Sequence, residues 1–190
     1  MAVTLADVER FLRQHRPAPL SHDGLLRAAV LFAFIEQNGS PEILLTQRTD
    51  LVEHHKGQVS FPGGMMDKTD KDAEATALRE ANEEIGLETD DVYLLGRTVD
   101  LVTPTGFIIT PVIAKLTRKP PLTLNKAEVE AAFYAPVGLF FDPSAEVSSV
   151  REWEGQTQTV YSYEHDGYRI WGVTAHIIRT FLRGVAELEN

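Results

Sequence analysis

The sequence predicts an α/β fold in which a mixed sheet is sandwiched between helices, and three segments carry that expectation. Two apolar runs, Ala28–Ile35 and Glu42–Gln47, flank Asn38-Gly39-Ser40-Pro41, a turn-forming cluster that reads as a hairpin. From Asp72 to Ile85 the chain is charged, with Ala73, Ala77, Ala81 and Ile85 at every fourth position and Gly86 just beyond. That is the pattern of an amphipathic helix with a natural stop. Thr174–Leu188 sets Ile177, Ile178, Phe181, Leu182 and Val185 on one face, a closing helix.

The remaining elements follow in order. Leu5, Val8, Phe11 and Leu12 recur at helical spacing until Pro17 and Pro19 break the pattern, so a short N-terminal helix is expected. A glycine-containing loop runs from Lys56 to Gly64. Val92–Leu95 and Phe107–Leu116 read as strands, the second bounded by Lys119-Pro120-Pro121. Glu128–Tyr134 reads equally well as strand or helix. Val160–Tyr163 and Tyr168–Trp171 flank His165-Asp166-Gly167, a second hairpin. Neither repeats nor a linker divide the chain, so residues 1–190 are expected to form one domain with 1–24 as a helical extension packed on it.

Composition narrows the function. With no cysteine there is no disulfide framework, zinc–thiolate site or thiol chemistry. The 18 Lys and Arg against 28 Asp and Glu give a net charge of -10, which repels a nucleic-acid backbone, and no basic stripe offsets it. A small anion is still admissible where metal ions mediate the contact. Asp7, Glu9 and Asp23 interrupt any signal-peptide core, and the apolar stretch Ala28–Ile35 is too short to span a bilayer. The expectation is a cytoplasmic protein that binds neither nucleic acid nor membrane, with a homodimer left open.

The segment richest in chemistry runs Phe61-Pro62-Gly63-Gly64, then fourteen residues, then Arg79-Glu80-Ala81-Asn82-Glu83-Glu84-Ile85-Gly86-Leu87. Glu80, Glu83 and Glu84 stand at i, i+3 and i+4, on one helical face. Like charges at that spacing repel, at a cost of roughly 0.2–0.5 kcal/mol per pair in an isolated helix. A solvated surface tolerates this, and that is the plain alternative. Beside a glycine loop, the cluster is better explained by hard divalent cations, which prefer carboxylate oxygens. Two such ions about 3.5–4 Å apart would clamp a phosphate during displacement. Arg79, four before Glu83, is placed to hold that carboxylate in one rotamer. Gly63 and Gly64 let the backbone approach the site, where a carbonyl could complete a metal's coordination.

These residues are the signature by which the chain is identified as a member of the Nudix hydrolases. That family's box runs Gly, five residues, Glu, seven residues, Arg-Glu-apolar-any-Glu-Glu-any-Gly-apolar. Gly64, Arg79, Glu80, Ala81, Glu83, Glu84, Gly86 and Leu87 match it. Asp70 stands where the box has its first Glu, and one extra residue separates it from Arg79. Upstream, Leu44-Leu45-Thr46-Gln47-Arg48, His55 and Gly57-Gln58-Val59-Ser60-Phe61-Pro62-Gly63-Gly64 resemble the accessory motif of the coenzyme A pyrophosphatases within the family. Thr76-Ala77-Leu78, Glu128-Val129, Ala135-Pro136-Val137 and Ile170-Trp171-Gly172 resemble the same branch. The likeness covers most of residues 25–182, with Glu53 where the accessory motif usually has Arg.

The resemblance implies a Nudix-like α/β/α sandwich and Mg²⁺- or Mn²⁺-dependent hydrolysis of the diphosphate of coenzyme A or a derivative. The products would be 3′,5′-ADP and 4′-phosphopantetheine. ADP-ribose, dinucleoside polyphosphates and other nucleoside diphosphate derivatives are the alternative substrates, since the box is shared. A non-catalytic nucleotide sensor would have lost a box carboxylate, and all three are present. Glu80, Glu83 and Glu84 would be metal ligands, with the Gly63 carbonyl a further one, and Arg79 would support them. Glu128 is the candidate general base, with Glu130 its rival and an ordinary surface carboxylate the plain alternative for both. Arg48, His54, His55 and Lys56 form a local basic group suited to phosphate oxygens. Arg48, His55 and Lys56 are therefore candidate substrate-binding residues, against structural packing for His55 and simple solvation for Lys56. Trp153 and Trp171 are candidates to stack on an adenine, with burial the plain alternative.

Overall fold

The computed structural model describes residues 3–188 apart from 23, 52–54 and 154–155. The chain runs α1 (Leu5–Gln14), β1 (Leu26–Gln37), β2 (Ser40–Arg48), β3 (Val59–Ser60), β4 (Gly63–Met65) and α2 (Ala73–Ile85). It continues through β5 (Val92–Arg97), β6 (Leu101–Val102), β7 (Phe107–Leu116) and β8 (Val129–Pro136). It closes with β9 (Val147–Trp153), β10 (Gln156–His165), β11 (Tyr168–Trp171) and α3 (Gly172–Glu187).

Strand alternation along β1 builds two cores, one on each face of the main sheet. Ala29, Leu31, Ala33 and Ile35 pack with Ala77, Ala81 and Ile85 of α2, the four-residue stripe that marked this helix in the sequence. Phe32 and Phe34 face the other way, into Phe11 of α1 and Ile178, Phe181 and Leu182 of α3. Phe181 meets Phe32 edge-on, with ring centroids 5.3 Å apart. Helices therefore cover both faces of a mixed sheet, the layered arrangement expected from the sequence.

The main sheet has the order β3-β2-β1-β7-β5, with β1 and β7 parallel and the other pairings antiparallel. Its functional feature is a wedge. β1 pairs with β2 only over Phe34–Gln37, and the two strands then part. Into the gap go β3, which pairs with β2 at Thr46 and Gln47, and β4, which pairs with β1 over Ala28–Val30. The loop expected over Lys56–Gly64 is thus partly two short strands, tied at the crossing point by the Leu31 N–H donating to the Pro62 carbonyl at 2.8 Å.

Glu128–Tyr134, ambiguous in sequence, is strand: β8 lies along β2 from Val129 to Pro136. Pairing with a neighbour, which local periodicity does not encode, decides it. The second hairpin is present as β10–β11, and β9, not expected from the sequence, completes a three-stranded antiparallel sheet with them. Among the described residues no helix is long and apolar enough to cross a membrane.

Candidate active site

The site is built where α2 faces β4. Asp72 caps α2, its carboxylate accepting from the Ala75 N–H at 2.8 Å, and Gly86 ends it in the left-handed conformation. These fixed ends set the helical phase, which turns Glu80 and Glu84 toward the wedge while Glu83 stays on the open side. The Glu84 side chain is only 4% exposed and that of Glu80 16%, against 55% for Glu83.

Both glycines of the loop are sterically required. Gly63 has φ +156, and a Cβ there would lie 2.4 Å from the Ala29 carbonyl oxygen. At Gly64 a Cβ would lie 2.5 Å from the Glu80 carboxylate, so this position is kept bare for a side chain of the site rather than for the fold. The Gly63 N–H donates to Glu84 Oε2 at 3.2 Å.

Arg79 organises the carboxylates. Its Nη1 donates to Glu80 Oε1 at 2.9 Å and to Glu83 Oε2 at 3.0 Å, and its Nη2 to the Met65 carbonyl at 3.1 Å. Asp70 grips the other edge of the guanidinium with two bonds, 3.1 Å from Nε and 2.9 Å from Nη2. Thr76 Oγ1 and the Asp67 N–H also donate to Asp70, both at 2.9 Å. The Arg79 hydrogen bonds, with those from Asp67 and Thr76, hold the Asp70 carboxyl well below the usual carboxylate range. Sequence reasoning noted Asp70 as a departure and assigned it no role; a carboxylate spaced to reach Arg79 was the available signal.

Glu84 is strongly perturbed. Burial pushes its carboxyl up to about 8, opposed by the Gly63 amide and by Arg48, and assisted by the charges of Glu80 and Glu128. Burial also raises Glu80, again with Glu128 contributing. Glu128 therefore belongs to the same electrostatic cluster as the two helix carboxylates. It is half-buried at the start of β8, with Asn125 Nδ2 donating to its Oε1 at 3.0 Å. Glu130 is exposed, and the Lys126 ammonium is bonded to its backbone carbonyl at 2.7 Å.

Of the basic group, Arg48 reaches the cluster. Its Nη1 lies 3.8 Å from Glu84 Oε1, and its buried Nε has no hydrogen-bond partner among the described residues. His55 and Lys56 are exposed on a turn, with His55 at φ 59 and its Nδ1 3.1 Å from Gln58 Oε1. The structure does not bring either to the carboxylates. His54 and Glu53 lie outside the described residues. Trp171 is half-buried at the head of α3 with the Arg169 guanidinium 5.8 Å from its ring, and the Trp153 side chain lies outside the description.

The chemistry of this donor set fits hard cations. A nearly buried carboxylate compensated by one long amide contact and a distant guanidinium is poorly solvated, and a divalent ion would repair that. Among the described residues no three acidic or histidine side chains already close on a common point.

Comparison with known proteins agrees. The NUDIX domain model matches residues 25–171. A protein of Photorhabdus laumondii called an uncharacterized Nudix hydrolase, NudL, is 37% identical over 185 residues, covering 96% of this chain and 98% of its own. The protein of the same name from Yersinia pestis is 36% identical over 160 residues, covering 84% and 80%. Among solved structures, DR0079 of Deinococcus radiodurans superposes with TM-score 0.56 at 14% identity over 87% of this chain and 88% of that one. A C. elegans Ap4A hydrolase does so with TM-score 0.53 at 14% identity over 87% and 99%, and at these identities both show the fold. The chain belongs to the Nudix hydrolase family, enzymes that cleave pyrophosphate bonds in small nucleotide-derived substrates and generally use divalent metal ions.

Proposed function

We propose that this Nudix hydrolase cleaves the pyrophosphate of coenzyme A or its derivatives to 3′,5′-ADP and 4′-phosphopantetheine, with Mg²⁺ or Mn²⁺ bound by Glu80, Glu83 and Glu84. The observation that carries the reading is the position of Arg48. This residue of the coenzyme A pyrophosphatase-like segment stands 3.8 Å from Glu84 with an unpartnered buried Nε, at the seam between β2 and β3. A guanidinium with spare donors beside a carboxylate cluster suits a diphosphate oxygen.

Divalent ions held by Glu80, Glu83 and Glu84 would supply neutralisation of phosphate charge and polarisation of the attacked phosphorus. Arg79, locked by Asp70, holds Glu80 and Glu83 in place. The Gly63 carbonyl is a further candidate ligand. Glu128 accepts a proton from the attacking water; the water oxygen bonds to phosphorus, and the bridging P–O bond breaks with its electron pair leaving on the departing phosphate. Asn125 fixes one Glu128 oxygen and leaves the other for that proton. His55 and Lys56, exposed on the neighbouring turn, contact the outer phosphate of a bound substrate.

The test is to incubate the protein with Mg²⁺ and, separately, coenzyme A, ADP-ribose and diadenosine polyphosphates, and to identify products. Coenzyme A should give 3′,5′-ADP and 4′-phosphopantetheine. Cleavage of ADP-ribose or a diadenosine polyphosphate with coenzyme A untouched overturns the substrate.

A further inference from the structure

A cleft of about 450 Å³ lies on another part of the molecule, between the tail of α1 and strand β5. Its rim carries Arg13, His15 and Arg16 from one side and Arg97 from the other. In a chain of net charge -10, this is an unusual concentration of cations. Arg97 arrives there because β5 carries a bulge between Leu94 and Gly96, a device that re-aims the side chains after it.

Three arginines line the cleft against two carboxylates, Glu74 and Asp100. Asp100 is used by the fold, one oxygen accepting from the Leu20 N–H at 2.8 Å and the other from the Thr110 hydroxyl at 2.7 Å. Glu74 accepts from Arg97 Nε at 2.7 Å, and its second oxygen is buried, with no hydrogen-bond partner among the described residues. Among the described residues Arg97 commits only that Nε, so its two terminal nitrogens remain for a ligand. Arg13 and Arg16 are exposed and have no ion pair or side-chain hydrogen bond among the described residues. Leu12 and Leu95 add apolar wall, and the exposed His15 ring, stacked on Phe11 at 4.7 Å, offers a flat face.

We propose that this cleft is a second ligand site, separate from the carboxylate cluster, that takes a small phosphate-bearing anion of nucleotide size. Guanidinium groups lining the cleft from two sides match the several oxygens of a phosphate better than a single carboxylate. The volume falls within the range of small-molecule sites. Glu74 sits in the first turn of α2, six residues before Glu80, so about 9 Å of helix separates the sites. A phosphate drawing on Arg97 would loosen its bond to Glu74 and so reach the helix that carries the metal ligands.

The probe is ADP, titrated calorimetrically into the whole protein with EDTA present, so that the carboxylate cluster repels it. Wild type should bind ADP, and Glu84→Gln should bind it equally well. Arg13→Ala/Arg16→Ala should bind it at least about tenfold more weakly, the loss expected from one or more charge-assisted contacts. Both arginines are exposed, so the double variant should keep its melting temperature. Inorganic phosphate should displace ADP and adenosine should not. Absence of ADP binding by wild type, unchanged affinity in the double variant, or displacement by adenosine alone overturns the proposal.

Discussion

At the scale of single residues, the behaviour of Glu84 follows from its burial. A carboxylate pushed up to about 8 by desolvation destabilises the metal-free protein when it ionises, and a divalent ion removes that cost. Glu84→Gln should therefore lose about 10³-fold or more in metal-dependent kcat. With EDTA at neutral pH its melting temperature should equal or exceed wild type. Added Mg²⁺ should raise the wild-type melting temperature, by mass action on the native state, and leave the variant unmoved. Melting curves with and without Mg²⁺ check this; a variant that unfolds early in EDTA would contradict it. Glu128 is separable from Glu130 because its charge acts on both Glu80 and Glu84. Glu128→Gln should lower kcat by about 10²–10⁴-fold with KM nearly unchanged, as expected for a group acting in the transition state. Glu130→Gln should leave steady-state kinetics close to wild type, and the reverse pattern would transfer the role.

At the scale of elements, the wedge of β3 and β4 separates fold from function at adjacent glycines. Gly64→Ala meets the Glu80 carboxylate at 2.5 Å, a flexible side-chain end that can move aside. It should fold normally and lose metal-dependent activity because Glu80 is displaced. Gly63→Ala meets backbone at 2.4 Å in a conformation at φ +156, and should lower the melting temperature outright. Thermal denaturation and activity measured on both variants test the distinction. Helix α3 is anchored differently. Glu146 accepts from Arg179 Nε at 2.9 Å and from the Tyr163 hydroxyl at 2.7 Å, and the Arg179 bond leads in holding its carboxyl below the ordinary range. The folded state therefore favours the ionised form. Its stabilisation is complete above the unfolded value of 4.5 and is lost as pH falls through the lowered folded one. Glu146→Gln should cost about 1–3 kcal/mol at pH 7, and the gap to wild type should close in acid. Denaturant midpoints at pH 7 and below pH 4 measure it, and a pH-independent gap would remove the charge from the account.

At the scale of the whole molecule, a net charge of -10 opposes an anionic substrate, so local cations must supply recognition. Arg48 lies at the carboxylate cluster, and His55 and Lys56 lie exposed on the turn after β2. If this basic group meets the 3′-phosphate, coenzyme A should be preferred over dephospho-coenzyme A by about ten- to a hundredfold in kcat/KM, the worth of a charge-assisted contact. Raising ionic strength should shrink that preference as the exposed charges are screened. Specificity constants for both compounds at low and physiological salt decide it, and equal values would remove the 3′-phosphate from recognition.

The sequence by itself determined the helices, the principal strands and the family, because apolar periodicity and the Arg-Glu-x-x-Glu-Glu spacing are local properties. A helix that buries Ala77, Ala81 and Ile85 must present Glu80 and Glu83 elsewhere, and no tertiary information is needed to see it. Only the tertiary structure decided which charges meet. Glu128 lies far along the chain from Glu84, and it is brought near by the pairing of β8 with β2 and by the Asn125 N–H donating to the Glu84 carbonyl at 2.8 Å. Asp70 grips Arg79 through a loop whose course no periodicity describes. Arg48 and His55 look equivalent in sequence, yet Arg48 ends a paired strand beside the cluster while His55 sits on a free turn. β8 was ambiguous and β9 was missed for the same reason: a strand is completed by a partner remote in sequence, whereas a helix satisfies its own backbone.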